Sequence, residues 1–503
     1  MSLALLQERI AAVNDVLCAA SVLNWDARTM MPVGGAQTRG CQIAALARVG
    51  RDMLCAEATF HALDAATVEV EAWPANDPAR RLVEATRHAL DVHGRIPADL
   101  IERRAALQPV AEAAWVEARA RSDFSIFAPL LEKTFALTRE FAEAVGYEQH
   151  PCDALIGIFE PGETVASLAR LFGALADGLK PVLAKAMARP KPRRDFLKRN
   201  FPEASQRTVA VRFAERFGYD LSRGRLDPTV HPFEISFTRN DVRITTRYRA
   251  DDMTESLFST MHEVGHGLYE QNIDPLYTRT VFATDLVALY AMGGASFGAH
   301  ESQSRLWENH VGRSHAFWRL HFDEIRREFP EALADVDADA FYAAVTHAEP
   351  GFIRTEADEL TYDFHILLRI ELEAALMGGE LAVADIPAAW NAAVKRHLGL
   401  DVPDDAHGCL QDVHWASGMI GGFCSYTIGN IMAAQLMQAV ERDPTVGPAI
   451  ERGEYAPLRN WLSENIWRHG RRFTRDELLV RATGRALDPA PYLAYLGKKY
   501  GPA

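Results

Sequence analysis

The segment from Asp252 to Gln271, DMTESLFSTMHEVGHGLYEQ, predicts the helix around which the rest of the chain is organised. Asp252 and Glu255 have the spacing of a capping box, which satisfies the free backbone N–H groups of a first helical turn. Apolar side chains then recur every three or four residues, at Leu257, Phe258, Met261, Val264 and Leu268. Since that interval matches the turn of an α-helix, the pattern predicts a helix with one face buried in a core.

The same helix carries a His-Glu-x-x-His motif at His262 to His266. With 3.6 residues per turn the two imidazoles project from one face and can share a metal ion. Glu263 is rotated away from that face, so it can reach a metal-activated water as a general base without being a ligand. The alternative is a helix with two hydrogen-bonded core histidines. Gly265 and Gly267 weaken that alternative, because each destabilises a helix by about 1 kcal/mol relative to Ala, whereas small residues let another element approach the metal face.

The motif does not include a third metal ligand. The long zincin pattern requires Gly at position 269 and His at position 272, where this chain has Tyr269 and Asn272. That class is therefore excluded, and a carboxylate from a later helix is the expected third ligand.

Two carboxylates of the helical-looking segment 298–309 are the leading candidates for that ligand, namely Glu301 and Glu308. Glu308 can equally pair with Arg305 on a solvated helix face, so the residues favour Glu301 only slightly. Asp285 is a further candidate outside this segment.

Length and composition describe an ordinary globular chain. Its 503 residues would normally form two or three domains, but no linker, repeat or low-complexity block separates them. We therefore treat residues 1–503 as one domain. Hydrophobic residues make up 48% and charged residues 24%, which is enough for a large core. A net charge of −14 argues against a nucleic-acid binder, which would carry a basic face.

Cysteine usage, the N-terminal residues and the length of the apolar runs lead us to expect a cytoplasmic protein. Six cysteines are sparse and lack metal-ligand spacing, so we expect them to be reduced and buried. The N-terminus lacks the layout of a signal peptide, and no apolar run reaches the roughly 18 residues of a membrane span. We expect no membrane partner.

Helical periodicity dominates residues 1 to about 220, where we expect seven to nine helices. The pattern then changes. Residues 234–238 and 241–248 alternate apolar and polar side chains, which predicts a short β-hairpin immediately before the metal helix. Such a strand either pairs with an extended peptide substrate or is a structural ribbon.

Several polar and aromatic residues elsewhere have both a functional and a structural interpretation. Trp25 and Asp26 are either an active-site pair or, more economically, a buried Trp beside an N-capping Asp. Arg354 lies among four acids, which is typical of a structural ion-pair cluster. His414 and Tyr426 lie beside glycines, as in a loop that approaches a site, although a core histidine would look the same.

Six motifs in these segments occur in an order that resembles the carboxypeptidase Taq family of metallocarboxypeptidases. They are His231-Pro-Phe233, Asp241-x-Arg243-x-Thr245, His262-Glu-x-x-His266, His300-Glu-Ser302, Ile353-Arg-x-x-Ala-Asp358 and Gly408-x-x-Gln-Asp-x-His-Trp415. The resemblance extends from Leu23 to Gly501, which is nearly the whole chain. It implies an all-α fold with a short β-ribbon, shaped like the saddle of neurolysin and angiotensin-converting enzyme around a deep cleft, and usually a homodimer.

The resemblance also implies roles for individual residues. It implies that His262, His266 and Glu301 bind one divalent metal ion per chain and that Glu263 is the catalytic base. It also implies that His414 or Tyr426 stabilises the oxyanion and that Arg354, His231 and Arg243 bind substrate. We expect Zn²⁺, although Co²⁺ or Mn²⁺ would also suit such ligands.

The expected function is removal of C-terminal residues from peptides. The alternatives are an oligoendopeptidase on the same scaffold and a non-catalytic peptide-binding protein. Two departures from the family pattern stand out. The stretch Leu276–Met292 makes the interval from His266 to Glu301 longer, which would reshape the wall of the cleft, and Cys424 occupies a position where Pro is expected.

Overall fold

The computed structural model describes residues 2–501, in which the helical periodicity of the sequence becomes twenty α-helices. Those before the sheet are α1 (Ser2–Thr29), α2 (Ala36–Leu54), α3 (Glu57–Val70), α4 (Pro78–Arg95), α5 (Ala98–Arg121), α6 (Phe124–Val145), α7 (Pro151–Phe159), α8 (Val165–Met187) and α9 (Glu203–Phe217). The prediction of seven to nine helices before residue 220 is therefore confirmed.

The remaining helices follow the sheet. They are α10 (Met253–Gln271), α11 (Phe297–Arg305), α12 (His315–Glu328), α13 (Ala338–Val345), α14 (Tyr362–Gly378), α15 (Ile386–Leu398), α16 (Cys424–Arg442), α17 (Val446–Ile450), α18 (Ala456–Asn465), α19 (Arg475–Thr483) and α20 (Ala490–Tyr500). Helix α11 continues directly into a π-helical segment, Leu306–Gly312. No helix within residues 2–501 is long and apolar enough to cross a membrane.

The helices belong to two compact units, and each unit is assembled from three separate stretches of chain. The first comprises residues 1–93, 192–345 and 432–487, and the second comprises 94–191, 346–431 and 488–503. Because neither unit is continuous, no single linker could have marked a boundary. The single-domain description of residues 1–503 and the saddle with its cleft stay predictions.

The first unit contains a three-stranded sheet of β1 (Gly224–Pro228), β2 (Glu234–Thr238) and β3 (Asp241–Thr246), in the order β1-β3-β2. Strands β2 and β3 form the antiparallel hairpin that the alternation predicted. Strand β1 pairs with β3 in parallel, which was not predicted. Helix α10 lies against this sheet, since a Cβ at Gly267 would come 3.2 Å from the side chain of Ile244.

Asp252 caps the N-terminus of α10, as predicted, but Glu255 does not complete a capping box. The Asp252 carboxylate accepts a hydrogen bond from the backbone N–H of Thr254 at 2.8 Å. Glu255 instead lies 3.5 Å from Arg247 and 3.6 Å from Arg249. The first turn is thus capped by one acid, while the second acid ties the helix to the end of the sheet.

The core of the first unit is rich in aromatic side chains. Phe213, Phe217, Trp307 and Trp318 are almost fully buried in it. Trp25 is buried too, which confirms the structural interpretation of that residue. The prediction that Asp26 is an N-cap is wrong, because Asp26 lies inside α1 and pairs with Arg39 at 2.5 Å.

The second unit is a bundle in which buried acids of α14 bind polar side chains of α16, of the C-terminal helix α20 and of the loop before α16. Asp363 on α14 is fully buried and accepts hydrogen bonds from the side chains of Thr427, Asn430 and Tyr492 at 2.7 to 2.9 Å. Glu373, nearer the C-terminal end of α14, accepts a hydrogen bond from the indole N–H of Trp415 at 2.8 Å. Buried acids satisfied in this way hold irregular chain in one place.

The six cysteines are all free thiols, as expected. Burial was predicted for all of them but holds for Cys152, Cys409 and Cys424 only; Cys18 and Cys55 are half-buried and Cys41 is exposed.

Candidate functional site

Two histidines and a glutamate of the first unit converge. Oε2 of Glu301 lies 3.6 Å from Nε2 of His262 and 3.3 Å from Nε2 of His266. One ligand atom from each residue lies within 4.8 Å of the other two. Two imidazoles and a carboxylate are a donor set typical of catalytic zinc sites, which keep a further position open. The residues therefore fit a divalent metal ion.

Helix α11 reaches the metal-binding face because α10 has glycine where the two backbones meet. A Cβ at Gly265 would lie 2.6 Å from Cα of Ser304, a separation that real Cβ atoms do not show. Glu301 is one turn before Ser304 on the same helix. The close approach that Gly265 permits is therefore what brings Glu301 to His262 and His266.

The other two carboxylate candidates have different partners. Oε2 of Glu308 lies 2.9 Å from Nδ1 of His262, on the side of the ring away from Glu301. Asp285 pairs with Arg471 at 2.8 Å and accepts two backbone N–H groups of its own loop. The predicted pairing of Arg305 with Glu308 is present at 3.6 Å, but the two side chains are half-buried rather than solvated.

The charges around Glu301 favour its ionised form. Burial, the largest influence, opposes that form, but Arg305 and the two histidines together hold the pKa of Glu301 well below its usual range. Nε of Arg305 donates to Oε1 of Glu301 at 2.7 Å, so Oε2 is left facing the imidazoles. Burial lowers the pKa of His266 to about 3, which keeps that ring neutral. A carboxylate and a neutral imidazole are the protonation states that bind metal.

Glu263 lies beside this group. Its side chain is buried, with 6% of its surface exposed, and burial raises its pKa to about 7. A carboxyl group with a pKa near the operating pH both accepts and returns a proton readily.

In the second unit, Arg354 has a partner that its sequence neighbours did not suggest. Its Nε and Nη2 lie 3.0 and 2.9 Å from Oδ1 of Asp412, and its Nη1 donates to the hydroxyl of Tyr362 at 3.0 Å. The guanidinium has five N–H donors, and these contacts engage three of them. Arg354 is buried, and its two remaining N–H donors are not engaged by these contacts.

A second guanidinium shares the same acid. Arg369 is fully buried, and its Nε donates to Oδ2 of Asp412 at 2.7 Å. Oε1 of Gln411 accepts from the backbone N–H of Arg354 at 2.9 Å and from Nη2 of Arg369 at 2.8 Å. Two cations around one carboxylate leave an excess positive charge, which favours an anionic ligand. No role was predicted for Asp412 or Arg369; the motif Gly408-x-x-Gln-Asp-x-His-Trp415, which contains Asp412, was the available signal.

His414 and Tyr426 lie together in the second unit. Nε2 of His414 is 3.3 Å from the Tyr426 hydroxyl, and its ring stacks on Phe423 with centroids 4.4 Å apart. Burial, followed by the charge of Arg354, lowers the pKa of His414 to about 4. Cys424, in the position where Pro was expected, is the first residue of α16, where Pro is also well suited.

The two remaining candidate substrate residues are near the sheet of the first unit. Arg243 pairs with Asp241 at 2.9 Å, and its guanidinium lies 4.4 Å from the ring centroid of Trp25. His231 is exposed just before β2. The stretch 276–292 has no α-helix; it contains a bridge between Asp285 and Tyr290, with Leu276 exposed at its start.

Comparisons with known proteins identify the family of this chain. Residues 5–500 match the family model of the carboxypeptidase Taq (M32) metallopeptidases. The chain is 42% identical to thermostable carboxypeptidase 1 of Thermus thermophilus, over 95% of this chain and 94% of that protein. It is 37% identical to carboxypeptidase 1 of Bacillus subtilis, over 96% and 94% of the two chains.

Solved structures give the same result. The fold superposes on an M32 carboxypeptidase from Deinococcus radiodurans with a TM-score of 0.93 and 40% identity, covering 99% of this chain and 98% of that one. A carboxypeptidase of Pyrococcus furiosus gives a TM-score of 0.93 with 33% identity and 99% coverage of both chains. The resemblance inferred from six motifs is confirmed. The chain therefore belongs to the carboxypeptidase Taq (M32) metallopeptidase family, and it is a metal-dependent carboxypeptidase.

Proposed function

We propose that this carboxypeptidase holds one Zn²⁺ ion per chain on His262, His266 and Glu301 and removes residues from the free C-termini of peptides. The observation that carries the proposal is the convergence of these three side chains, whose ligand atoms lie within 4.8 Å of one another. The bound ion supplies Lewis-acid chemistry, which polarises the scissile carbonyl and makes a water molecule more acidic.

Glu263 is the proposed general base. It takes a proton from the attacking water and gives that proton to the nitrogen of the departing amino acid. Its burial supports this role, because a pKa raised to about 7 suits a group that must accept and then release a proton.

Arg354 is the proposed binding group for the terminal carboxylate of the substrate. Its uncommitted N–H donors and the excess positive charge it forms with Arg369 and Asp412 support the role. A planar guanidinium binds a carboxylate through two parallel hydrogen bonds, which a peptide with a blocked C-terminus cannot accept. The proposal therefore explains exopeptidase rather than endopeptidase action.

His414 and Tyr426 are the proposed oxyanion stabilisers. A phenolic hydroxyl such as that of Tyr426 can donate a hydrogen bond, and a neutral His414 can donate from one ring nitrogen. Arg243 and His231 are also proposed to contact the substrate. The support for this is the two sequence motifs that contain them. Zn²⁺ is the proposed ion because His₂Glu sites are typical of it, while Co²⁺ and Mn²⁺ suit the same donors.

The test is the Glu263→Gln variant. We expect it to bind Zn²⁺ as the wild type does and to lose roughly 10²- to 10⁴-fold in kcat, the usual share of general acid–base catalysis. Turnover is measured on an unblocked peptide, and bound metal by elemental analysis of the same sample. Full activity in this variant would refute the role of Glu263.

The oligoendopeptidase alternative predicts a different substrate profile. Cleavage of one peptide with a free C-terminus and of its amidated copy separates the two functions, since an endopeptidase cleaves both. Assembly as a homodimer and residence in the cytoplasm are proposed as well. The free thiols support a reducing compartment, and sedimentation of the purified protein measures the oligomeric state.

A further inference from the structure

The two metal-binding imidazoles are supported differently at the ring nitrogen that faces away from Glu301. Nδ1 of His262 lies 2.9 Å from a carboxylate oxygen of Glu308. Nδ1 of His266 is buried and has no hydrogen-bond partner within residues 2–501. A metal-bound histidine almost always donates its second ring N–H to an oxygen, which fixes the tautomer and the ring orientation. Among residues 2–501, only His262 has that kind of support.

The carboxylate behind His262 is itself held by two arginines. Oε1 of Glu308 accepts from Nη2 of Arg313 at 3.0 Å, and Oε2 lies 3.6 Å from Nη1 of Arg305. These two guanidinium groups beside Glu308 favour its ionised carboxylate. The ionised carboxylate accepts the Nδ1–H of His262, which leaves the lone pair of Nε2 for a metal ion.

His266 is held by stacking instead. Its ring lies parallel to that of His300, with 4.5 Å between centroids and 16° between planes. The ring of Tyr269 is also nearly parallel to that of His300, with 5.5 Å between centroids and 17° between planes. Parallel rings in contact resist tilting, because a tilt loses many van der Waals contacts at once.

The stacking ring cannot move away from His266. Nε2 of His300 lies 3.0 Å from Oε1 of Glu270, and Glu270 also accepts the backbone N–H of Gly293 at 2.9 Å. Gly294 closes the space beside the ring, since a Cβ there would lie 2.8 Å from Cδ2 of His300. The position of His300 is thus determined by a hydrogen bond on one edge and by close packing on another.

We propose that Glu308 and His300 are positioning residues for the metal ion, and that they act by different means. Glu308 orients His262 through a charge-assisted hydrogen bond, and His300 orients His266 through ring stacking. The inference rests on the proposed metal ligands. It assigns the direct contact with His266 to the ring of His300, and it limits Nε2 of His300 to anchoring that ring on Glu270.

The experiment measures the affinity of the full-length apo-protein for Zn²⁺ by competition with a chromogenic chelator. Glu308→Gln removes the charge behind His262, and we expect affinity to fall roughly 10- to 100-fold, as is usual when a carboxylate behind a metal-binding histidine is lost. His300→Phe keeps a ring against His266 and should stay within about threefold of the wild type, whereas His300→Ala should lose about tenfold or more.

Glu324→Gln is a matched control. Glu324 also contacts an arginine, and its carboxylate lies 2.8 Å from Nδ1 of His321. Both Glu324 and His321 belong to α12, and neither is a proposed metal ligand. We expect no change in Zn²⁺ affinity. Thermal unfolding of each apo-variant separates loss of metal binding from loss of folding.

Other outcomes overturn the inference. An unchanged Zn²⁺ affinity in Glu308→Gln would show that Glu308 does not position His262 for the metal ion. A His300→Phe variant as weak as His300→Ala would show that the nitrogen atoms, not the ring, support His266. If wild-type apo-protein bound no stoichiometric Zn²⁺, the proposed ligands themselves would be wrong and the inference would fail with them.

Discussion

Glu263 is surrounded by groups that pull its pKa in opposite directions. Burial, the largest influence, raises the pKa to about 7, while His262 and Arg28 lower it. The base must be ionised to accept a proton, so kcat/KM falls as pH falls through this pKa. The positive charge of a bound metal ion favours the carboxylate further. We therefore expect the acid limb of the pH profile of kcat/KM to have its midpoint at or below about pH 7.

This limb is measured on an unblocked peptide between pH 4 and 9, with the metal content of the enzyme checked at each pH. An acid limb centred well above pH 8 at full metal occupancy would show that another group is the base.

Arg354 gives a second prediction at the residue scale. We expect Arg354→Ala to lower kcat/KM on a free-carboxylate peptide by roughly 10- to 100-fold, because a hydrogen bond to a charged group contributes about 1.5–3 kcal/mol. Arg354→Lys keeps the charge but not the paired donors, so it should recover only part of the loss. The amidated copy of the peptide is the control substrate. Equal losses on both peptides would show that Arg354 does not bind the terminal carboxylate.

At the scale of elements, the spacing of residues along one helix could be predicted from the sequence, whereas contacts between distant segments could not. His262, Glu263 and His266 follow from the helical period within α10. The third ligand could not be chosen in the same way, since Glu301, Arg305 and Glu308 fall on one face of a helix. What separates the two acids is the close approach of α10 to α11 and the change to a π-helical turn after Arg305, which widens the helix.

Arg354 shows the same limit. Four acids within five residues of it predicted a local ion-pair cluster, but its partner Asp412 lies 58 residues away. Strand β1 was missed for a related reason. Its residues, GRLDP, have no alternating pattern, and its pairing is parallel and non-local. Local periodicity carries no information about such contacts.

Gly265 yields the prediction for this scale. In a free helix Gly→Ala is stabilising by about 1 kcal/mol. At Gly265 the new Cβ would lie 2.6 Å from Cα of Ser304, so the two backbones must separate and carry Glu301 away from the histidines. We expect Gly265→Ala to lower both Tm and Zn²⁺ affinity. The matched control is Gly173→Ala inside α8, where a Cβ meets nothing within 4 Å and Tm should rise or stay unchanged. Equal Tm shifts at the two positions would contradict the close-approach argument.

For the whole molecule, the important fact is that the proposed metal ligands all belong to the first of the two units, while Arg354, Arg369 and Asp412 belong to the second. A ligand that binds only folded protein stabilises it by RT ln(1 + [L]/Kd), which is about 2.7 kcal/mol at a hundredfold excess over Kd. That free energy acts through the elements that hold the ion. We therefore expect Zn²⁺ to slow amide hydrogen exchange most strongly in α10 and α11.

Exchange is compared between apo-protein and protein with a hundredfold excess of Zn²⁺ over the measured Kd, with peptides that cover both units. The peptide containing Asp412 is the internal control, since its buried carboxylate is already paired with Arg354 and Arg369 and needs no metal to be ordered. The variant His262→Ala, in which the proposed ligand set is incomplete, should show no protection on adding Zn²⁺. Protection of equal size in α10 and in the Asp412 peptide would mean that the ion orders the whole chain. The free energy of Zn²⁺ binding could not then be assigned to the helices that carry its ligands.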